Sequence, residues 1–143
     1  MGDESKQWVA VTVLVFRDGR MLSMRRSSRQ EAGPGLWEGV SGRVRAGEDP
    51  MAAARREVAE ETSLHVVIHP RPITSYAALR RGEPMTVLVF SADYLRGEVV
   101  LTEEHDEFRW CEADELSGLG VPVQLADAAR AVWPSIKASS AAR

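Results

Sequence analysis

The stretch that most constrains this chain runs from Gly42 to Leu64, Gly-Arg-Val-Arg-Ala-Gly-Glu-Asp-Pro-Met-Ala-Ala-Ala-Arg-Arg-Glu-Val-Ala-Glu-Glu-Thr-Ser-Leu. It reads as a loop feeding a helix. Asp49 suits the N-cap, where its carboxylate accepts a free amide of the first turn, and Pro50 suits the first helical position because it has no amide to waste. Ala52, Ala53 and Ala54 follow as strong helix formers. At roughly 100° per residue, Glu60, Glu57 and Glu61 fall in that order across about 100° of one face, with Ala54, Val58 and Met51 as the adjoining apolar stripe. One side of such a helix belongs in a core, and the next is a cluster of carboxylates.

Like charges four positions apart, as at Glu57 and Glu61, cost a few tenths of a kcal/mol unless a cation answers them. Arg56 can pair with Glu60, but one guanidinium does not neutralise three carboxylates. A hard divalent cation does, because Mg²⁺ takes oxygen ligands and commonly bridges protein carboxylates to substrate phosphates. On helix charge alone, a solvated acidic face is the competing reading.

The full spacing decides between them. Gly42, Glu48, Arg56-Glu57-Val58, Glu60-Glu61 and Leu64 stand in the register of the Nudix box, and over these 23 residues the chain resembles the Nudix hydrolase (MutT-like) family. One fixed position departs: the family usually has Gly where this chain has Ser63. That position lies just past the helix end, where Gly is favoured for its tolerance of a left-handed backbone. The departure bears on the cap and removes no chemical group.

The resemblance implies an α+β protein, a Nudix-type α/β/α sandwich around a mixed β-sheet. It also implies metal-dependent hydrolysis of a diphosphate bond in a nucleoside diphosphate linked to another group, with Mg²⁺ or Mn²⁺. Carried over by position, Glu57, Glu60 and Glu61 would ligate metal together with the backbone carbonyl of Ser41. Glu57 would also activate the attacking water, Arg56 would orient Glu57, and Glu48 would be a secondary contributor. A nucleoside triphosphate or related nucleotide leads as substrate; a nucleotide sugar or ADP-ribose follows. A noncatalytic nucleotide-binding module is the alternative of another class. An isomerase of the isopentenyl diphosphate kind would want a catalytic cysteine, for which Cys111 is not obviously placed. Oligomeric state stays open, members of this size often being dimers.

At 143 residues the chain fits a single domain, 1–143, with flexible ends expected at 1–6 and 139–143. Its net charge of −3 argues against nucleic acid as a partner and suits a small anionic substrate met by a metal. The lone Cys111 points to a reducing compartment and a small core or interface residue. No run approaches the roughly 18 apolar residues of a membrane helix, so the expectation is a cytoplasmic protein without membrane contact.

In chain order, Trp8 to Phe16 reads as a strand that turns at Arg17-Asp18-Gly19-Arg20 into Met21 to Met24. Arg25, Arg26 and Arg29 then fall in a polar loop to Pro34. Arg25 and Arg26 are candidates for a phosphate clamp, since the guanidinium fork matches phosphate oxygens. Leu36 to Gly42 reads as a short strand into the box, with Trp37 a candidate to stack a base and core packing its alternative. His65 to Ile68 and Ile73 to Leu79 read as strands, and His65 and His69 as structural. Tyr76 and the turn Arg80 to Pro84 are places where specificity could lie. Met85 to Tyr94 is apolar enough for a central strand covered on both faces. Val99 to Leu101 reads as a further short strand. The acidic loop after it resembles the family segment that carries a further carboxylate, for metal or as base: Glu104 first, Glu107 second. Ala113 to Leu116 opens a helical turn, and Pro122 to Trp133 a last helix that ends or kinks at Pro134.

Overall fold

The computed structural model describes residues 6–141; of the ends expected to be flexible, 1–5, 142 and 143 lie outside them, while 139–141 lie within a helix. The chain forms β1 (Trp8–Arg17), β2 (Arg20–Arg26), β3 (Trp37–Glu38), β4 (Val40–Arg43), α1 (Pro50–Thr62), β5 (His65–Ile68), β6 (Thr74–Arg80), β7 (Glu83–Arg96) and β8 (His105–Cys111). A 3-10 turn (Ala113–Glu115), α2 (Leu116–Leu119) and α3 (Val123–Ala141) complete it.

One mixed sheet holds all eight strands. Its spine is the parallel pair β1 and β7, in register from Trp8 opposite Met85 to Phe16 opposite Asp93. Side chains alternate across a strand, so the valine-rich β1 serves two cores. Val11, Val13 and Val15 pack with Ala53, Ala54 and Val58 of α1, whereas Leu14 and Phe16 pack with Leu125, Ala129 and Trp133 of α3. β7 is divided the same way, Val87 and Val89 to one side and Phe90 and Ala92 to the other, which is why its middle, Val87 to Phe90, reads as an apolar run. The result is the α/β/α sandwich, with α1 on one face and α2 and α3 on the other. Trp133 ties α3 down: its indole donates to the Gly19 carbonyl at 2.8 Å and meets the Phe16 ring edge-on at 5.3 Å.

The sheet forks where the site is built. β1 and β2 pair only beside their turn, Phe16 with Met21 and Arg17 with Arg20. Past it, β2 pairs with β3 and β1 with β4. The strand expected over Leu36 to Gly42 is therefore two, joined at Gly39, where a Cβ would sit 3.1 Å from the Val13 carbonyl oxygen. That crossing delivers Ser41 and Gly42 to the end of α1.

Three expectations need correction. Arg25 and Arg26 close β2 instead of lying in the loop, because β8 extends the ladder beside them, Arg25 opposite Glu107 and Arg26 opposite His105. Val99 to Leu101 is not a strand; the Val100 amide donates to the Thr62 carbonyl at 2.9 Å and docks the segment on the end of α1. α3 runs past Pro134 to Ala141, so of the end and the kink expected at Pro134 the end is ruled out.

Candidate active site on the box helix

α1 is capped as its sequence predicts. Asp49 accepts from the Met51 amide at 2.8 Å, and Pro50 takes the first position. Ser63 holds the C-cap at φ 63°, ψ 8°, and its amide donates to the Ala59 carbonyl at 3.1 Å. The left-handed cap that Gly usually makes is thus kept by serine, against an energetic preference of about 1 to 2 kcal/mol.

Arg56 organises one half of the carboxylate cluster. Its guanidinium forks onto Glu48, with Nε donating to Oε2 at 2.8 Å and Nη2 to Oε1 at 2.9 Å. Nη1 donates to Glu57 Oε1 at 2.7 Å and to Glu60 Oε2 at 3.2 Å, and Nη2 also reaches the Arg43 carbonyl at 3.0 Å. Such charge-assisted bonds fix direction as well as distance. The Arg56 guanidinium and the Arg45 amide hold the Glu48 carboxyl down at about 2. Glu48 is therefore the anchor of the arginine, and the arginine is the anchor of Glu57.

Gly42 lies directly beneath Glu57. A Cβ on Gly42 would meet the Glu57 carboxylate carbon at 2.1 Å, so any side chain there expels that carboxylate from its seat. The spacing from Gly42 to Glu57 is thus a packing requirement: the strand must be bare where the glutamate crosses it. Burial pushes the Glu57 carboxyl up, Arg56 pulls it back, and Glu60 and Glu104 add to the rise.

Among the described residues, Glu61 has no such cation. It is buried, its Oε2 accepts from the Ser41 amide at 3.2 Å, and its Oε1 has no hydrogen-bond partner. Burial, with Glu57, Glu104 and Glu38 nearby, pushes its carboxyl up to about 10. One ligand atom each from Glu61, Glu104 and His105 lies within 4.8 Å of the others. An unpartnered buried oxygen among crowded carboxylates is a donor set that fits a divalent cation, which would supply the missing positive charge. Glu104 and the backbone of Ser41 thus meet the α1 carboxylates in space.

Other candidates sit differently. Arg25 donates to Asp106 at 2.7 Å and approaches Glu107 at 3.2 Å, all on the surface. Arg26 spends each guanidinium nitrogen within the protein, on the Ala32 carbonyl, Glu38 and Gln30. Trp37 is 8% exposed and belongs to the α3-side core, with Arg109 over its ring. His65 is exposed, His69 pairs with Asp93 at 3.1 Å, and Cys111 is a fully buried core residue. Two residues escaped the sequence reading. Glu38 and His105 meet across the β2–β3–β8 strands at 2.9 Å, and a single histidine inside the acidic run Glu103 to Glu107 was the available signal.

The NUDIX domain model matches residues 6–134. The chain belongs to the NUDIX family. Among curated NUDIX relatives, an oxidized purine nucleoside triphosphate hydrolase of Danio rerio is 36% identical over 107 residues, covering 73% of this chain and 65% of that protein. The Mus musculus protein of the same description is 32% identical with the same coverage, so the match spans 65% of the length of each. A nucleoside triphosphatase NudI of Salmonella agona is 25% identical over 122 residues, covering 78% of this chain and 86% of its own. The same NUDIX fold recurs in a MutT protein from Methanosarcina mazei Go1, with TM-score 0.79 and 24% identity over 95% of this chain and 99% of that one.

Proposed function

We propose that this NUDIX protein hydrolyses a phosphorus-containing anhydride: a diphosphate bond in a nucleoside diphosphate linked to another group, with a nucleoside triphosphate or related nucleotide as the first substrate class. The observation that carries this reading is the contrast on one helix turn between Glu57, clamped by Arg56, and Glu61, buried without a cation. A site of this kind needs a cation to be complete and already holds a directed carboxylate beside it.

Glu57, Glu60 and Glu61, with the Ser41 carbonyl, are the proposed ligands for Mg²⁺ or Mn²⁺. A bound divalent cation there neutralises phosphate charge and lowers the pKa of a water. Glu57 Oε1 is held by Arg56, which leaves Oε2 to take the proton of the attacking water. Arg56 keeps that carboxylate aimed, and Glu104 flanks the same space from the loop before β8. The names of the zebrafish and Salmonella relatives, both of which specify nucleoside triphosphates, support the substrate class. Among the described residues no helix is long and apolar enough to cross a membrane. Buried, unpaired Cys111 suits a reducing compartment, and we assign the chain to the cytoplasm.

The test is phosphate and nucleotide release from nucleoside triphosphates, nucleotide sugars, ADP-ribose and dinucleoside polyphosphates, with Mg²⁺, with Mn²⁺ and with chelator. Metal-dependent cleavage of triphosphates is expected. Cleavage confined to sugars or ADP-ribose would move the substrate class. No cleavage by protein that binds the metal would overturn the enzyme in favour of a binding module.

A further inference from the structure

The proposed metal ligands of α1 and the Ser41 carbonyl are all oxygen donors, yet the walls of the site also hold a nitrogen that no group among the described residues satisfies. His105 is buried at the start of β8, next to Glu104, and its Nδ1 has no hydrogen-bond partner. Its other nitrogen, Nε2, faces Glu38 Oε1 at 2.9 Å. Arg26 Nη1 reaches the same oxygen at 3.1 Å and fixes Glu38 in place. A carboxylate that accepts one ring N–H leaves the other nitrogen as a bare lone pair, which is how metal-bound histidines are commonly oriented. Glu61 likewise keeps an oxygen, Oε1, without a partner, and one ring nitrogen of His105 lies within 4.8 Å of a carboxylate oxygen of Glu61 and of one of Glu104.

We propose that His105 supplies a ring nitrogen to a divalent-cation centre shared with Glu61 and Glu104, so that this centre favours a cation of the Mn²⁺ or Co²⁺ class over Mg²⁺. The inference rests on the metal-dependent reading above and adds to it a ligand and a selectivity. Mg²⁺ takes oxygen ligands and keeps its waters, so an imidazole gains little from it. Mn²⁺ and Co²⁺ bind nitrogen more readily, and their affinity for mixed nitrogen and oxygen sites rises along that order. Glu38 and Arg26 become the outer support of the histidine.

The experiment is pulsed electron paramagnetic resonance of Mn²⁺ bound to the tag-free full chain. Nitrogen modulation is expected in the wild type, and it should change frequency when histidine alone carries ¹⁵N. It should persist in a His65→Gln/His69→Gln double variant and vanish in His105→Gln. His105→Gln should also weaken Mn²⁺ binding at least about tenfold, the scale of losing even an outer partner of a ligand, and leave Mg²⁺ binding nearly unchanged. Bound Mn²⁺ without nitrogen modulation would overturn the histidine ligand and leave the metal-dependent reading standing. Failure to bind Mn²⁺ at all would overturn both. Should His105→Gln not fold, the isotope shift retained in the His65→Gln/His69→Gln variant, where His105 is the one histidine left, decides.

Discussion

The two halves of the site solve the same electrostatic problem in opposite ways. Around Arg56 the acids are neutralised in advance: Glu48, Glu57 and Glu60 all touch one guanidinium, and Glu48 is held near 2. Around Glu61 no cation is built in among the described residues, and burial with neighbouring acids lifts its carboxyl to about 10. A protein designed only for stability would have placed a second arginine there, since a buried unpaired charge is costly. The difference teaches that acidic residues one turn apart on a helix need not share a role. One half is a fixture that keeps its shape without a ligand, and the other is a socket shaped for something the chain does not contain.

The contrast can be broken from the fixture's side first. Glu57→Gln removes the directed carboxylate with little change of volume, so turnover should fall at least about 10²-fold while the melting temperature holds or rises; an active variant with the native fold would move the chemistry elsewhere. Gly42→Ala tests the seat instead of the residue. With a Cβ 2.1 Å from the Glu57 carboxylate carbon, the side chain must leave its position, and misplacement of about 1 Å is enough for a loss near 10²-fold. Circular dichroism should show the helix intact. Arg56→Lys keeps the charge but loses the fork on Glu48. With the arginine side chain 18% exposed, a stability loss of about 1 to 3 kcal/mol is expected in urea unfolding.

The socket half should show its character in pH. Folding raises the Glu61 carboxyl from 4.5 to about 10, so the metal-free native state keeps a proton that the unfolded chain gives up. The contribution of this group is whole below pH 4.5 and is lost as pH rises towards 10, with a slope of at most about 1.4 kcal/mol per pH unit. Melting of the metal-free chain from pH 5 upwards should show that decline. Glu61→Gln should flatten it, and an unchanged slope would mean that Glu61 is already compensated.

What was legible in the sequence was local. The Asp49 cap, the Pro50 start and the acidic and apolar stripes of α1 depend on residues within a turn or two of each other, and the helix stands from Pro50 to Thr62. The nearly all-apolar run from Thr86 to Phe90 in β7 announced a strand covered on both faces. What was not legible was pairing across the sheet. Arg25 and Arg26 looked like free cations because Asp106, Glu107 and Glu38 lie far along the chain, and only the β2–β8 and β2–β3 ladders bring them together. Glu38 and His105 stayed invisible for the same reason. The glycine at 42 could be read by its place in the box, but its physical cause, the carboxylate resting on it, required the fork between β1 and β2.

The parallel pairing of Trp8 to Phe16 with Met85 to Asp93 has a consequence in time. The whole box lies inside the loop that this pairing closes, so the first strand must wait for the seventh before the spine of the sheet exists. Long-range parallel pairing of this sort slows folding, because the entropy of closing the loop is lost before its contacts form. α1 can coil early on its own caps, but its apolar stripe finds a finished surface only when β7 arrives. During synthesis on the ribosome the carboxylate cluster is therefore completed late, after β8 has brought Glu104 and His105 alongside, and a chain interrupted before that point carries the helix without its site.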